Sequence, residues 1–148
     1  MSEWWAIAML LSGGFFAGGV VSIAWERLPA WNASDPFEFG AAFAYTLRRV
    51  DRLQPALAVV GLISTIGFAI SVDGGARILA GLAAAGFGVI LVGSGAWLVP
   101  LQRRLVAPGP EQPHVETEKL RRQWFRGHRI RATVALLSLT LSVAAAVS

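Results

Sequence analysis

Four uncharged stretches of the chain are long enough to cross a membrane. We predict helical spans at about residues 4–25, 54–72, 78–100 and 130–147. At about 1.5 Å of rise per residue, each span approaches or exceeds the roughly 30 Å of hydrocarbon in a bilayer. The alternative is a soluble four-helix bundle, but its helices would keep a polar face, and segments 61–72 and 79–93 show none.

The two long connections between spans each predict a further, amphipathic helix. In the first connection, Asp35-Pro36-Phe37-Glu38 is typical of a helix start, and apolar residues then recur every three or four positions as far as Val50. A solvated linker is the alternative there. In the second connection, a loop at Pro108-Gly109-Pro110 and Pro113 precedes a helix that begins near Thr117 and continues into the fourth span. The pattern therefore predicts an all-α, four-transmembrane-helix bundle, with amphipathic helices in both long connections, as one integral membrane domain over residues 1–148.

Composition supports a membrane protein. Hydrophobic residues make up 55% of the chain, charged residues only 15%, and the mean hydropathy is +0.56. So few charges cannot cover a water-facing surface, since ordinary globular domains carry about 25%. The absence of cysteine excludes disulfides, cysteine zinc sites and thiol nucleophiles.

Basic residues predict the orientation in the membrane. Of the 13 lysines and arginines, every one except Arg77 lies in the two long connections or at their edges. The positive-inside rule then predicts a multi-pass protein of the cell membrane with cytoplasmic connections and both termini outside. Anionic headgroups of membrane lipids account for the pI of 11.0, so no nucleic-acid partner is implied.

Small residues predict where the helices pack closely. Gly14 and Gly18 form a GxxxG motif that Ser22 extends by a turn, and Ala84 with Gly88 offers a similar face on the third span. Such ridges let neighbouring backbones approach each other, so we expect them to face other helices.

A polar trio begins the fourth span. Trp124, His128 and Arg131 share one helical face. Arg131 either extends to the headgroups or points into the bundle, where we expect a functional role. Trp25 and Trp97 end the first and third spans at the same side of the membrane, which predicts an aromatic-lined pocket suited to a flat apolar molecule.

An inward-facing Arg131 requires a compensating partner. Candidates are Glu26, Gln102 and the carbonyl groups near Pro100, and we favour Glu26 because it ends the first span. The spans themselves contain no acid that could relay protons. His114 and His128 lack the spacing of a metal clamp, so we predict no metal site and no cofactor.

Local motifs over nearly the whole chain resemble the anthrone oxygenase-like membrane family, a family catalogued as a domain of unknown function. The similar features are the glycine-rich first span before Leu28-Pro29, the Arg52-Leu53-Gln54-Pro55 entry to the second span, Pro100 followed by Arg104-Leu105, and the trio at Trp124, His128 and Arg131. Gln102 departs from the asparagine expected after the proline, although glutamine keeps an amide donor and acceptor.

The resemblance implies oxidation of an anthrone or related polyketide by molecular oxygen without metal or flavin. His128 would be the general base, Arg131 the cation that stabilises an enolate, and Trp124 a stacking wall, with Trp97, Trp25, Gln102 and Glu26 as further ligand contacts. The alternative is a non-catalytic membrane scaffold or accessory subunit, acting as a homo-oligomer or with a membrane partner.

Overall fold

A computed structural model describes residues 2–50, 53–107 and 114–148 of the chain, and all the elements in these ranges are helices. They are α1 Ser2–Ser22, π1 Ile23–Arg27, α2 Leu28–Ala33, α3 Pro36–Val50, α4 Leu53–Ser71, α5 Gly74–Gly93, π2 Ser94–Leu98, α6 Val99–Val106 and α7 His114–Val147. Arg52 and the loop predicted at residues 108–113 lie outside the described residues.

Four helices are long and apolar enough to cross a membrane, which confirms the predicted all-α bundle. They cover Ser2–Ala33, Leu53–Ser71, Gly74–Val106 and Val115–Val147. The helix α1 packs on α4 and α7, and α5 packs on the same two, so the four form a closed ring. The elements α2, α3 and α6 and the first turns of α7 gather at one end, which we call the basic end.

Two π-helical segments interrupt the first and third long helices at matching places. Pro29 and Pro100 are each the second residue after such a segment. A proline ring crowds the carbonyl four residues before it and supplies no N–H. The wider π turn accommodates this, because the N–H of Leu28 bonds to the carbonyl of Ile23, five residues back, and Val99 bonds to Ser94 in the same way. Both helices therefore continue past their prolines.

The amphipathic helix α3 lies over the basic end of the ring. The Asp35 carboxylate accepts a hydrogen bond from the N–H of Glu38 at 3.0 Å, which caps the helix as its sequence predicts. Phe39, Phe43 and Leu47 are buried beneath it. This confirms a helix rather than a solvated linker in the first connection.

The predicted packing role of the Gly14, Gly18 and Ser22 ridge is wrong. A side chain at Gly14 or Gly18 would meet no described atom within 4 Å, and Ser22 is exposed. The buried face of α1 lies beside this ridge. There, a Cβ added at Gly13 would contact Phe87, and one added at Gly19 would collide with Gln54. Gly88 on α5 is equally open.

The closest glycine contact between long helices lies at Gly86, where α5 meets α7. An added Cβ would collide with the buried hydroxyl of Ser138 and lie 3.3 Å from its Cβ. We expect Gly86→Val to lower the free energy of unfolding by about 2 kcal/mol, since overpacked cores typically lose 1–3 kcal/mol. Gly88→Val on the same helix meets open space and is the matched control. Unfolding in mixed micelles measures both, and equal losses would contradict the assigned packing face.

Candidate functional site

His128 is the centre of the polar trio and is completely buried. Its Nε2 lies 3.0 Å from the carbonyl oxygen of Val20 on α1, and its Nδ1 lies 3.1 Å from Nη2 of Arg131. The ring of Trp124 stacks on the imidazole, with centroids 4.9 Å apart and planes inclined by 22°. The spacing along α7 therefore brings the three side chains together as predicted.

The hydrogen bonds of His128 fix its protonation. A guanidinium group can only donate, so Nδ1 accepts the bond from Arg131. Nε2 must then carry the hydrogen and donate it to the Val20 carbonyl. The imidazole is neutral in this arrangement, and both of its nitrogen atoms are engaged.

Trp124 lies within an aromatic cluster formed by Trp31, Phe39, Phe43, Trp124 and Phe125. The rings of Phe43 and Trp124 meet edge to face, with centroids 4.8 Å apart and planes inclined by 86°, while His128 stacks on Trp124. Only 2% of Trp124 is exposed. Trp124 therefore packs against the protein itself and supports His128 from the basic end.

A cavity of about 200 Å³, which we call the inner cavity, lies beside Arg131. Its lining residues are Phe16, Gln54, Pro55, Ala58, Ile90, Leu91, Ser94, Gly95, Leu98, Val99, Gln102 and Arg131. The Gln54 side chain is buried, and its Oε1 accepts no hydrogen bond from the part of the chain that the structure describes. Native proteins rarely leave a buried carbonyl without a donor, so a hydroxyl or water that donates to Oε1 would satisfy this group.

A second groove of about 190 Å³ opens on the other side of π2. It is lined by Trp97, Gly127, Ile130 and Val134 and shares Ile90, Ser94, Leu98 and Arg131 with the inner cavity. We call it the outer groove. Arg131 therefore contacts both spaces while its guanidinium bonds to His128.

The other predicted site residues separate into two groups. Gln102 lines the inner cavity and Trp97 the outer groove. Trp25 is 85% exposed and lines neither space. Glu26 is 66% exposed and pairs with Arg27 at 3.8 Å.

The predicted ion pair between Glu26 and Arg131 is wrong. The described ion pairs join Glu26 only to Arg27, whereas Arg131 bonds to His128. The physical reason is the π turn, whose extra residue makes Leu28, instead of Glu26 or Arg27, the next buried position after Ile23. Of the two orientations that the sequence allows for Arg131, the structure has the one that points into the bundle and not the one that extends to the headgroups.

Two important polar residues were not predicted from the sequence. Gln54 is the one strongly polar residue inside the second apolar span, and that isolation is a signal that could have identified it. Arg121 precedes His128 by seven residues and so lies on the same helical face. It is 7% exposed and donates to the carbonyls of Trp31 and Ser34.

Known proteins and metal chemistry add little to this geometry. Comparisons with family models, curated proteins and solved structures found no match. Within the described residues, no three histidine, cysteine or acidic side chains converge as metal ligands.

Proposed function

We propose that this protein is a small multi-pass membrane protein that binds a flat, apolar, oxygen-bearing aromatic molecule in the inner cavity. The observation that supports the proposal most directly is the pairing of a cation with an unsatisfied amide. Arg131 and Gln54 both line the same mostly apolar space, and the Oε1 atom of Gln54 is buried without a donor among the described residues. Convergent polar groups in an apolar cavity are typical of small-molecule sites.

The chemistry of the two polar groups defines the ligand. Arg131 can only donate, so it suits a carbonyl, phenolate or enolate oxygen. Gln54 Oε1 can only accept, so it suits a phenolic hydroxyl. Phe16, Ala58 and Ile90 supply apolar walls. A phenol or quinone-like ring system satisfies all of these requirements, and binding it would remove the cost of a buried, unpaired carbonyl.

The resemblance to anthrone oxygenases extends the proposal to catalysis. When the guanidinium of Arg131 turns to a bound ligand oxygen, the lone pair of His128 Nδ1 is released from its hydrogen bond and can accept a proton from the acidic carbon of an anthrone. Arg131 then stabilises the enolate, which passes electrons directly to dioxygen. Over the whole reaction, one oxygen atom becomes the new carbonyl and the other leaves as water with the two hydrogens of that carbon.

A non-catalytic accessory subunit is the second candidate, and the packing of the trio favours it. His128 has no exposed surface, and Trp124 is enclosed by the aromatic cluster. In this second function the trio joins α7 to α1 through the Val20 carbonyl and contacts no ligand.

Binding of 2-hydroxyanthraquinone, which carries a carbonyl for Arg131 and a phenolic hydroxyl for Gln54, to the purified protein in lipid nanodiscs tests the first candidate. We expect Gln54→Leu to weaken binding about tenfold, the effect of losing one hydrogen bond in a dry site. The matched control is Gln123→Leu, which removes an exposed amide from α7 and should leave binding unchanged. Equal affinities of the wild type and Gln54→Leu would contradict the site.

Oxygen consumption in the presence of anthrone separates binding from catalysis. An active oxygenase consumes one dioxygen per anthrone, and we expect His128→Gln to abolish this while 2-hydroxyanthraquinone still binds. Binding without oxygen consumption would leave a ligand-binding protein, and failure of the wild type to bind at all would favour the accessory subunit.

A further inference from the structure

A large groove lies on the outside of the bundle at the basic end, between α2 and α7. Its volume is about 680 Å³, and its lining includes Asn32, Arg122, Arg126, Arg129 and Ile130. The three arginines lie on one face of α7 because their spacing is four and three residues. We call this space the arginine groove. It is separate from the inner cavity and shares no lining residue with it.

The positive charge in the arginine groove is only partly neutralised. Arg122 pairs with Glu118 at 3.2 Å. For Arg126 and Arg129, by contrast, no described carboxylate lies within ion-pairing distance, and both side chains are exposed. Asn32 adds an amide from the opposite wall. Two neighbouring guanidinium groups and an amide are suited to the oxygen atoms of a phosphate.

The arginine groove adjoins the outer groove, whose lining is mostly apolar. Ile130 lines both the arginine groove and the outer groove, where Val134 of α7 and Trp97 of π2 supply further apolar walls. A ligand bound to Arg126 could therefore extend a hydrocarbon chain past Ile130 without entering water. A free phosphate has no group that would use this second space.

From these observations we propose that the two grooves together bind one anionic phospholipid. Its phosphate contacts Arg126 and Arg129, and one acyl chain lies along Ile130, Val134 and Trp97. Three features favour a lipid as the occupant. They are the uncompensated positive charge of the arginine groove, the adjoining outer groove with its apolar lining, and the membrane-length apolar helices on which both grooves lie. Basic residues beside membrane spans bind anionic headgroups more strongly than zwitterionic ones.

Native mass spectrometry of the protein with dioleoyl phosphatidylglycerol or dioleoyl phosphatidylcholine tests the proposal. We expect the wild type to retain one phosphatidylglycerol per chain in preference to phosphatidylcholine. Arg126→Gln/Arg129→Gln should lower this affinity about thirtyfold, from the typical contribution of two arginines near a membrane surface. The matched control Arg48→Gln/Arg49→Gln removes the same charge from the exposed face of α3 and should retain the lipid.

Three outcomes would overturn the proposal. Equal retention of the two lipids by the wild type would exclude recognition of charge. An equal loss in the α3 control would show that diffuse charge is responsible. Displacement by millimolar glycerol 3-phosphate would identify a soluble anion. The acyl-chain contact has its own test, since Ile130→Ala should weaken binding several-fold, whereas Ile63→Ala on exposed α4 should not.

Discussion

Replacing His128 with leucine is expected to lower the free energy of unfolding by about 3 kcal/mol, even though leucine is apolar and similar in size. The imidazole accepts a hydrogen bond from the Arg131 guanidinium and donates one to the Val20 carbonyl in a completely buried position. A hydrogen bond to a charged group such as Arg131 contributes about 1.5–3 kcal/mol, and the bond to the neutral Val20 carbonyl adds about 1 kcal/mol. Reversible unfolding in mixed micelles measures the loss.

Glutamine at position 128 separates hydrogen bonding from packing. Its side-chain oxygen can accept from Arg131 and its amide group can donate to the carbonyl of Val20. We therefore expect His128→Gln to lose less than half as much stability as His128→Leu. If the two variants lose the same amount, the contribution of His128 comes from its stacking on Trp124.

Arg121→Met is the second substitution from which we expect a large effect, a loss of about 3 kcal/mol. The guanidinium donates to the carbonyl of Trp31 at 3.2 Å and to that of Ser34 at 3.3 Å, where α2 ends. It also pairs with Glu118 at 2.8 Å and lies 5.3 Å from the centre of the Phe39 ring. Methionine keeps the apolar stem but removes every one of these contacts.

The adjacent residue supplies the control for Arg121. Arg122 pairs with the same carboxylate, Glu118, at 3.2 Å, but its side chain is exposed. Exposed ion pairs contribute at most about 1 kcal/mol, so Arg122→Met should change stability little. Near-ultraviolet circular dichroism adds a structural readout, because loosening of α2 would alter the signal of Trp31. Similar losses in both variants would show that Arg121 acts only through its charge.

Hydropathy predicted the four long helices because a membrane selects apolar stretches by length and composition alone. It could not predict which face of α1 meets its neighbours. A helix that is apolar all round has no polar side to orient it, and Gly13 and Gly19 carry the same small-residue signal as Gly14 and Gly18. Only the packing partners, Phe87 and Gln54, distinguish them.

The two parts of the candidate site differ in how well the sequence predicted them. Trp124, His128 and Arg131 lie on uninterrupted α-helix, so their spacing placed them correctly on one face. Glu26 lies in π1, where a wider turn changes the direction of the side chains. The sequence shows Pro29 but not how the chain accommodates it, since a helix can end, kink or widen before a proline.

The unequal lengths of the long helices imply that the bundle has two layers, one within the hydrocarbon of the membrane and one that extends beyond it into water. The helix α4 has 19 residues, enough for the hydrocarbon thickness, whereas Ser2–Ala33 and Gly74–Val106 have 32 and 33. Each of these therefore extends roughly 20 Å further, and the aromatic cluster lies in that extension, at the basic end. The hydrophobic effect holds the aromatic layer at the basic end together, while van der Waals packing holds the helices within lipid. Urea weakens the hydrophobic effect, so it should unfold the aromatic layer while the spans remain associated.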